Sequence, residues 1–295
     1  MVIVLLGRTS SGTSKKSLFR NMKKPASNSL SSFDRIIITG GTSGIGAALL
    51  RQIQVLTTEP AVCNLSRSKA EISSFGERLT SIRCDLTDRE QSKTALSECR
   101  EWIEKWDKGG KILLINNSGF GGYGKFPSPS TDRNLFMLDV NVRAPVWMTG
   151  ELSEELIKST GAVINIASTA AFQPTPYLST YGATKAFVLH WSLGLSEEWR
   201  EYGVQVLCVC PGPTETTFFK EAGFREAPLK KGSGQTADQV AEITIKALNR
   251  GKSLVTCGLG NSFLAALSSK LPKKAVTRMT GMIMRKLRLE QFQDS

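Results

Sequence analysis

The chain has 295 residues, 40% of them hydrophobic, enough for one large α/β domain or two small ones. Lysine and arginine outnumber aspartate and glutamate by 38 to 26, a formal charge of +12, but residues 1–33 contribute +6 and residues 261–295 contribute +5. The body is therefore near neutral and has no basic stripe interleaved with aromatics, which argues against nucleic-acid binding.

The single histidine, His190, excludes a His-rich metal cluster. Six cysteines are scattered without Cys-x-x-Cys spacing. They read as buried reduced thiols of an intracellular protein, not as a disulfide frame or zinc site. No run of about 18 apolar residues is present, so no spanning helix is expected. The opening run at 2–6 is shorter than a secretory core of roughly 7–15 residues.

In chain order, residues 1–33 are rich in Ser, Lys and Arg, lack acids and show little periodicity; they read as a disordered basic tail. The same composition suits an organelle transit peptide, and Met22 is an alternative start that would leave only a short tail. From Asp34 strand and helix patterns alternate. Strands are expected over 35–39, 61–65, 80–84, 112–116, 162–167, 204–210 and 253–257, with helices over 45–56, 89–106, 131–158, 180–202 and 237–249. Such alternation predicts an α/β fold with a doubly wound, parallel, seven-stranded sheet in a single domain over 34–258.

The stretch from Gly161 to Phe187 carries the chemistry. A β-branched run ends in Ser168, and after a Pro-rich loop Tyr181-Gly182-Ala183-Thr184-Lys185 begins a helical pattern. Residues four apart share a helix face, so the phenol and the ammonium point the same way. A free tyrosine titrates at ~10, and a nearby ammonium is expected to lower that by ~1–3 units. Ser168 would polarise a carbonyl that Tyr181 protonates.

A Ser followed thirteen residues later by Tyr-x-x-x-Lys resembles the classical short-chain dehydrogenase/reductase family, and the chain is similar to it at further places. Residues 40–46 read Gly-Gly-Thr-Ser-Gly-Ile-Gly, a Gly-x-x-x-Gly-x-Gly turn between a strand and a helix. Such a turn lets backbone approach a pyrophosphate at a helix N-terminus. Strand two ends Asn64-Leu65-Ser66-Arg67, with Lys69 behind it and no carboxylate before Glu71. An Arg there accommodates a 2′-phosphate where an acid would bond the ribose hydroxyl, so NADP(H) is the expected cofactor and Arg67 its selector.

The resemblance implies a Rossmann-like fold and a set of site residues. Gly40, Thr42, Ser43, Gly44, Ile45 and Gly46 would hold the pyrophosphate, and Asp85 and Leu86 would lie beside the adenine. Asn117, in Asn116-Asn117-Ser118-Gly119, would be a cofactor-binding residue, Ser118 departing from the family's alanine. Pro211, Gly212, Thr214 and Thr216 would hold the nicotinamide amide. Asn141, Ser168, Tyr181 and Lys185 would be catalytic. Asn141 would support a water leading from Lys185, which would also bond the nicotinamide ribose.

The expected function is NADPH-dependent reduction of an apolar, ketoacyl- or steroid-like ketone or aldehyde, with Tyr181 as proton donor. A non-catalytic nucleotide sensor or scaffold, in contact with a membrane or not, is the rival, and the retained catalytic set speaks against it. Phe218, Phe219 and Phe224 fall in the place of a substrate lid, and Phe172, Pro174 and Tyr177 are expected to face the site. By resemblance the helices over 131–158 and 180–202 pair across the axis of a homodimer or homotetramer, where Trp147, Trp191 and Trp199 would lie unless they are core. Cytoplasmic localisation is expected unless residues 1–33 direct the chain to an organelle. Residues 259–295 form an amphipathic basic extension divided by Pro272. Val276, Met279, Ile283 and Leu287 share one face of its second helix, with Lys274, Arg278 and Arg285 nearly opposite. That helix either closes over the substrate pocket or anchors the protein to an anionic membrane.

Overall fold

The computed structural model describes residues 28–57, 59–68, 73–223 and 234–286. Strands β1 (Phe33–Thr39), β2 (Ala61–Ser66), β3 (Leu79–Arg83), β4 (Lys111–Asn116), β5 (Ala162–Ile166), β6 (Gln205–Cys210) and β7 (Leu254–Thr256) form one parallel sheet in the order β3-β2-β1-β4-β5-β6-β7. Every strand pair is parallel, and the order reverses between β1 and β4. In such a sheet the crevice outside the carboxyl ends at the reversal is where a ligand binds.

The strands are runs of Ile, Val and Leu because both faces are covered. Ile36 and Ile38 face one core layer with Leu49 and Leu50 of α1 (Gly44–Leu56) and Val240 and Ile245 of α7 (Ala237–Asn249). Ile37, between them, faces the other layer, where Leu96, Cys99 and Trp102 of α2 (Arg89–Lys105) and Leu195 of α6 (Ser179–Glu198) pack. The period of two along one strand thus feeds two cores.

The ends of these elements carry their own stops. Asp88 caps α2 by accepting from the amides of Glu90 and Gln91, and Thr236 with Gln239 forms a reciprocal capping box on α7.

Three findings depart from the expectations. Residues 28–33 are folded, not part of a tail. Leu30 and Phe33 are in the core, and buried Asn28 donates to Gln205 and accepts from Lys111. The remainder of the basic tail, residues 1–27, lies outside the described residues.

The helix expected over 131–158 is broken. It runs as α3 (Thr131–Leu138), a π-helical turn (Asp139–Arg143), α4 (Ala144–Glu151) and α5 (Ser153–Lys158). Such turns arise where an extra residue is inserted into the ladder, and they concentrate at functional sites.

The extension folds as α8 (Leu259–Lys270) and α9 (Lys273–Lys286) against the loop between β5 and α6. Ser268 donates to Gln173, Lys273 donates to the Phe172 carbonyl, and the Tyr123 hydroxyl donates to the Met284 carbonyl. The face of α9 turned to the body holds Val276 and Gly281, with Thr277, Thr280 and Met284 half-buried. Met279 and Ile283 point outward, so the expected stripe is not the packed one; Leu287 lies outside the described residues. At Gly281, α9 lies against Pro176, 3.5 Å from where a Cβ would stand, so the contact leaves room for a methyl group and little more.

Candidate active site

A cleft of about 940 Å³ opens at the carboxyl ends of the strands. Its floor at one end is the glycine turn after β1. Gly40 and Gly44 take positive φ, +69° and +52°, which glycine adopts without strain. The Asn117 amide donates to the Thr39 and Gly40 carbonyls at 3.0 and 2.9 Å, and Asn64 accepts from the Gly41 amide at 2.8 Å, so both neighbouring strands brace the turn. The Ser118 hydroxyl stands where a side chain on Gly40 would lie, 2.7 Å from that Cβ position. The departure from alanine is accommodated because residue 40 is glycine.

The first turn of α1 has no side-chain cap, and Gly44 and Ile45 line the cleft. Uncapped helix amides at a glycine turn are donors in search of an anion, and a pyrophosphate meets them. Thr216 closes over the turn, its Cγ2 3.4 Å from the Cβ position of Gly44. Ser66, Arg67 and Ser68 edge the cleft beyond β2, with Arg67 exposed. Lys69 and Glu71 lie outside the described residues. Asp85 is held by Thr87, whose amide and hydroxyl donate to it at 2.9 and 2.8 Å. These residues fit a dinucleotide.

The reacting end is built by β5 and α6. Ser168 follows β5, accepts from the Ala170 amide at 3.1 Å and lines the cleft together with the Tyr181 phenol. Tyr181 and Lys185 are buried one helical turn apart. Lys185 Nζ donates to the Ile166 carbonyl at 2.8 Å and lies 5.9 Å from the Tyr181 ring centre.

Here the expected effect of the lysine is corrected. Burial pushes the Tyr181 phenol up to about 12, with the nearby Ser168 hydroxyl working against the rise. Burial likewise brings Lys185 down to about 8. A neighbouring charge is worth ~1–3 units and full burial up to ~3–5, so desolvation wins for both groups.

Of the residues singled out in the sequence, Thr42, Ser43, Leu86, Pro211, Gly212 and Thr214 join those above along the cleft. Gly46 and Asn141 do not line it. Gly46 packs on the Gly40 carbonyl, where a Cβ would collide. Asn141 is buried in the π-helical turn, donates to Phe120 O and Thr184 Oγ1 and accepts from Phe120 N. Its Oδ1 and Lys185 Nζ both stand 3.1 Å from the Cβ position of Gly119.

Between Ser168 and Tyr181 the lining residues are Thr169, Ala170, Gln173, Thr175 and Leu178, not Phe172, Pro174 and Tyr177. Phe172 turns into a small core with Ala171 and Val188, and Pro174 is exposed. A loop has no strict period, so the sequence could not assign its faces. Phe218 lines the cleft and packs on Tyr181, ring centres 5.2 Å apart, with Phe219 beside it; Phe224 lies outside the described residues. Arg133, Thr280 and Met284 also line the cleft, and the sequence pattern did not point to them. Trp147, Trp191 and Trp199 pack against the second core layer, and His190 is exposed.

A family model for the short chain dehydrogenase matches residues 34–227. The chain belongs to the short-chain dehydrogenase family. It is 34% identical over 218 residues to the serine 3-dehydrogenase of Agrobacterium fabrum, covering 70% of this chain and 84% of that protein. It is 27% identical over 237 residues to the L-fucose dehydrogenase of Bos taurus, covering 75% and 84%.

Among solved structures, a short chain dehydrogenase of Burkholderia cenocepacia in complex with NADP superposes with a TM-score of 0.70 at 23% identity, over 86% of this chain and 99% of that one. The 3-ketoacyl-(acyl-carrier-protein) reductase of Brucella melitensis, complexed with NADH, gives 0.67 at 22% identity, over 78% and 98%. The protein is an NAD(P)-dependent oxidoreductase acting on CH–OH or carbonyl groups. No described helix is long and apolar enough to cross a membrane.

Proposed function

We propose that the protein reduces a ketone or aldehyde of apolar body with NADPH, and that Tyr181 delivers the proton. The observation that carries this reading is the convergence of Ser168, Tyr181 and Lys185 on one cleft, the last two buried one helical turn apart. When bound, the reduced nicotinamide supplies the hydride. Ser168 and Tyr181 donate to the oxygen that gains charge, and donors fixed before the reaction cost no reorganisation. Protonated Tyr181 is the form the site favours, as a proton donor requires. Lys185, which lines the same cleft, would bond the nicotinamide ribose. Arg67, with no carboxylate described beside it, would receive the 2′-phosphate of NADPH. Phe218, Phe219, Leu178 and Met284 suit an apolar substrate body.

The reading extends to assembly and place. Leu135, Leu138, Val146 and Phe187 are exposed on α3, α4 and α6, which suits a homodimer or homotetramer through those helices. All six thiols are free and buried, which suits the reducing cytoplasm.

The test is consumption of NADPH or NADH with a panel of ketones, aldehydes and hydroxy acids. NADPH turnover with an apolar ketone, lost in Tyr181→Phe, supports the reading. Nucleotide binding without turnover of any of these would mark a sensor.

A further inference from the structure

The helices α8 and α9 expose apolar side chains that the fold leaves uncovered. On α8, Phe263 and Leu264 are 68% and 62% exposed, with Leu267 one turn on. On α9, Met279, Met282 and Ile283 are 45–55% exposed, because the inner face belongs to Val276, Gly281 and their neighbours. Outward apolar groups thus recur on two successive helices, whereas scattered single ones would need no account.

Charge says what covers that face. Residues 259–286 contain six lysines and arginines and no acid. Arg278 and Arg285 fall about 40–60° from Met282 at 100° per residue, so the cations edge the apolar strip. A second copy meeting this face across a two-fold axis would set like charges against like. An anionic bilayer offers the opposite arrangement, with acyl chains for the apolar strip and phosphates for its edge.

We propose that the outer face of α8 and α9 docks on an anionic membrane surface. The inner face of α9 presents Thr280 and Met284 to the cleft. Docking would therefore hold the substrate end about one helix diameter, ~10 Å, from the lipid. An apolar carbonyl compound dissolved in the bilayer would then be the natural substrate. That consequence rests on the reductase reading; the docking does not.

The full chain is sedimented with vesicles of phosphatidylcholine alone or with about one-third phosphatidylglycerol. The expected result is pelleting with the anionic vesicles only, released by salt. Met282→Ser with Ile283→Ser should reduce partitioning more than about tenfold, and Arg278→Gln with Arg285→Gln about fivefold per charge. Thermal midpoints should be unchanged, because these side chains face outward. Absence of pelleting, or pelleting by the apolar variant equal to wild type, overturns the proposal. So does a wild-type dimer that the apolar variant dissociates in sedimentation velocity, which assigns the face to a second copy. No arm needs turnover, so a failed reductase assay leaves the result readable.

Discussion

Asn141 donates through Nδ2 to the Thr184 hydroxyl at 3.0 Å, joining the π-helical turn to the residue before Lys185. The same side chain holds both the amide and the carbonyl of Phe120, next to Gly119 at the cleft. Asn141→Ala strips the part-buried amide and carbonyl of Phe120 of this partner, while the Thr184 hydroxyl keeps its bond to the Tyr181 carbonyl, at ~1–3 kcal/mol for each group that water cannot reach. The expected outcome is a loss of about 2–4 kcal/mol in a denaturant titration, with kcat falling more than cofactor affinity. Unchanged stability would show that the turn does not depend on this asparagine.

The pH dependence of turnover follows from Lys185. Burial brings it to about 8, so its charge is present below that pH and lost above it. The limb of kcat/KM reports the free enzyme. For reduction, kcat/KM should fall as pH rises through about 8, while Tyr181, near 12, stays protonated. A limb at the ordinary lysine value of ~10.4 would show that Lys185 is not desolvated.

The same burial links Lys185 to stability. Between about 8 and its ordinary value near 10.5 the unfolded chain holds the lysine proton and the folded chain does not. Stability therefore rises with pH through that window on account of this residue. The buried thiols act oppositely: Cys257, raised by burial to about 12, keeps its proton when folded and loses it when unfolded. The difference between wild type and Lys185→Met isolates the lysine. Wild type should gain on the variant from about pH 8 to 10.5, as read by urea midpoints. A pH-independent difference would reject it.

Much of the sheet was legible because a parallel sheet covered on both faces demands apolar runs, and Ile36-Ile37-Ile38 or Val206-Leu207-Cys208 admit little else. The glycine turn and the Ser168–Tyr181–Lys185 spacing were legible for a related reason, since each works through fixed local geometry. What escaped depends on packing between distant segments. The π-helical turn at Asn141 answers to Phe120 and Thr184, which no helical period registers. The outward turn of Met279 and Ile283 depends on which face of α9 packs on the body at Pro176. The high proton affinity of Tyr181 depends on burial that composition does not disclose.

Arg67 makes cofactor choice testable. An exposed guanidinium at the end of β2 costs the fold little to remove, so Arg67→Ala should keep its thermal midpoint. A charge-assisted bond to a phosphate is worth ~1.5–3 kcal/mol, or roughly 10–150-fold. The Kd for NADPH should rise by about that factor and the Kd for NADH should barely move. Equal losses for both would assign Arg67 to the shared half of the dinucleotide.

Gly281 tests whether α9 shapes the substrate end. A Cβ there would meet Pro176 at 3.5–3.6 Å, ordinary contact, so Gly281→Ala fits and should gain up to ~1 kcal/mol from helix propensity. Gly281→Leu has no such room, and overpacking costs ~1–3 kcal/mol unless the helix moves. Because Thr280 and Met284 line the cleft on either side of that contact, a displaced α9 should raise KM for the carbonyl substrate several-fold. The glycine turn and Arg67 lie at the other end of the cleft, so NADPH affinity should stay as in wild type. The Ala variant serves as the control, since both substitutions change the same position and only the larger one moves the helix. If the Leu variant kept wild-type KM and kcat, α9 would be a strap across the loop and not a wall of the substrate site.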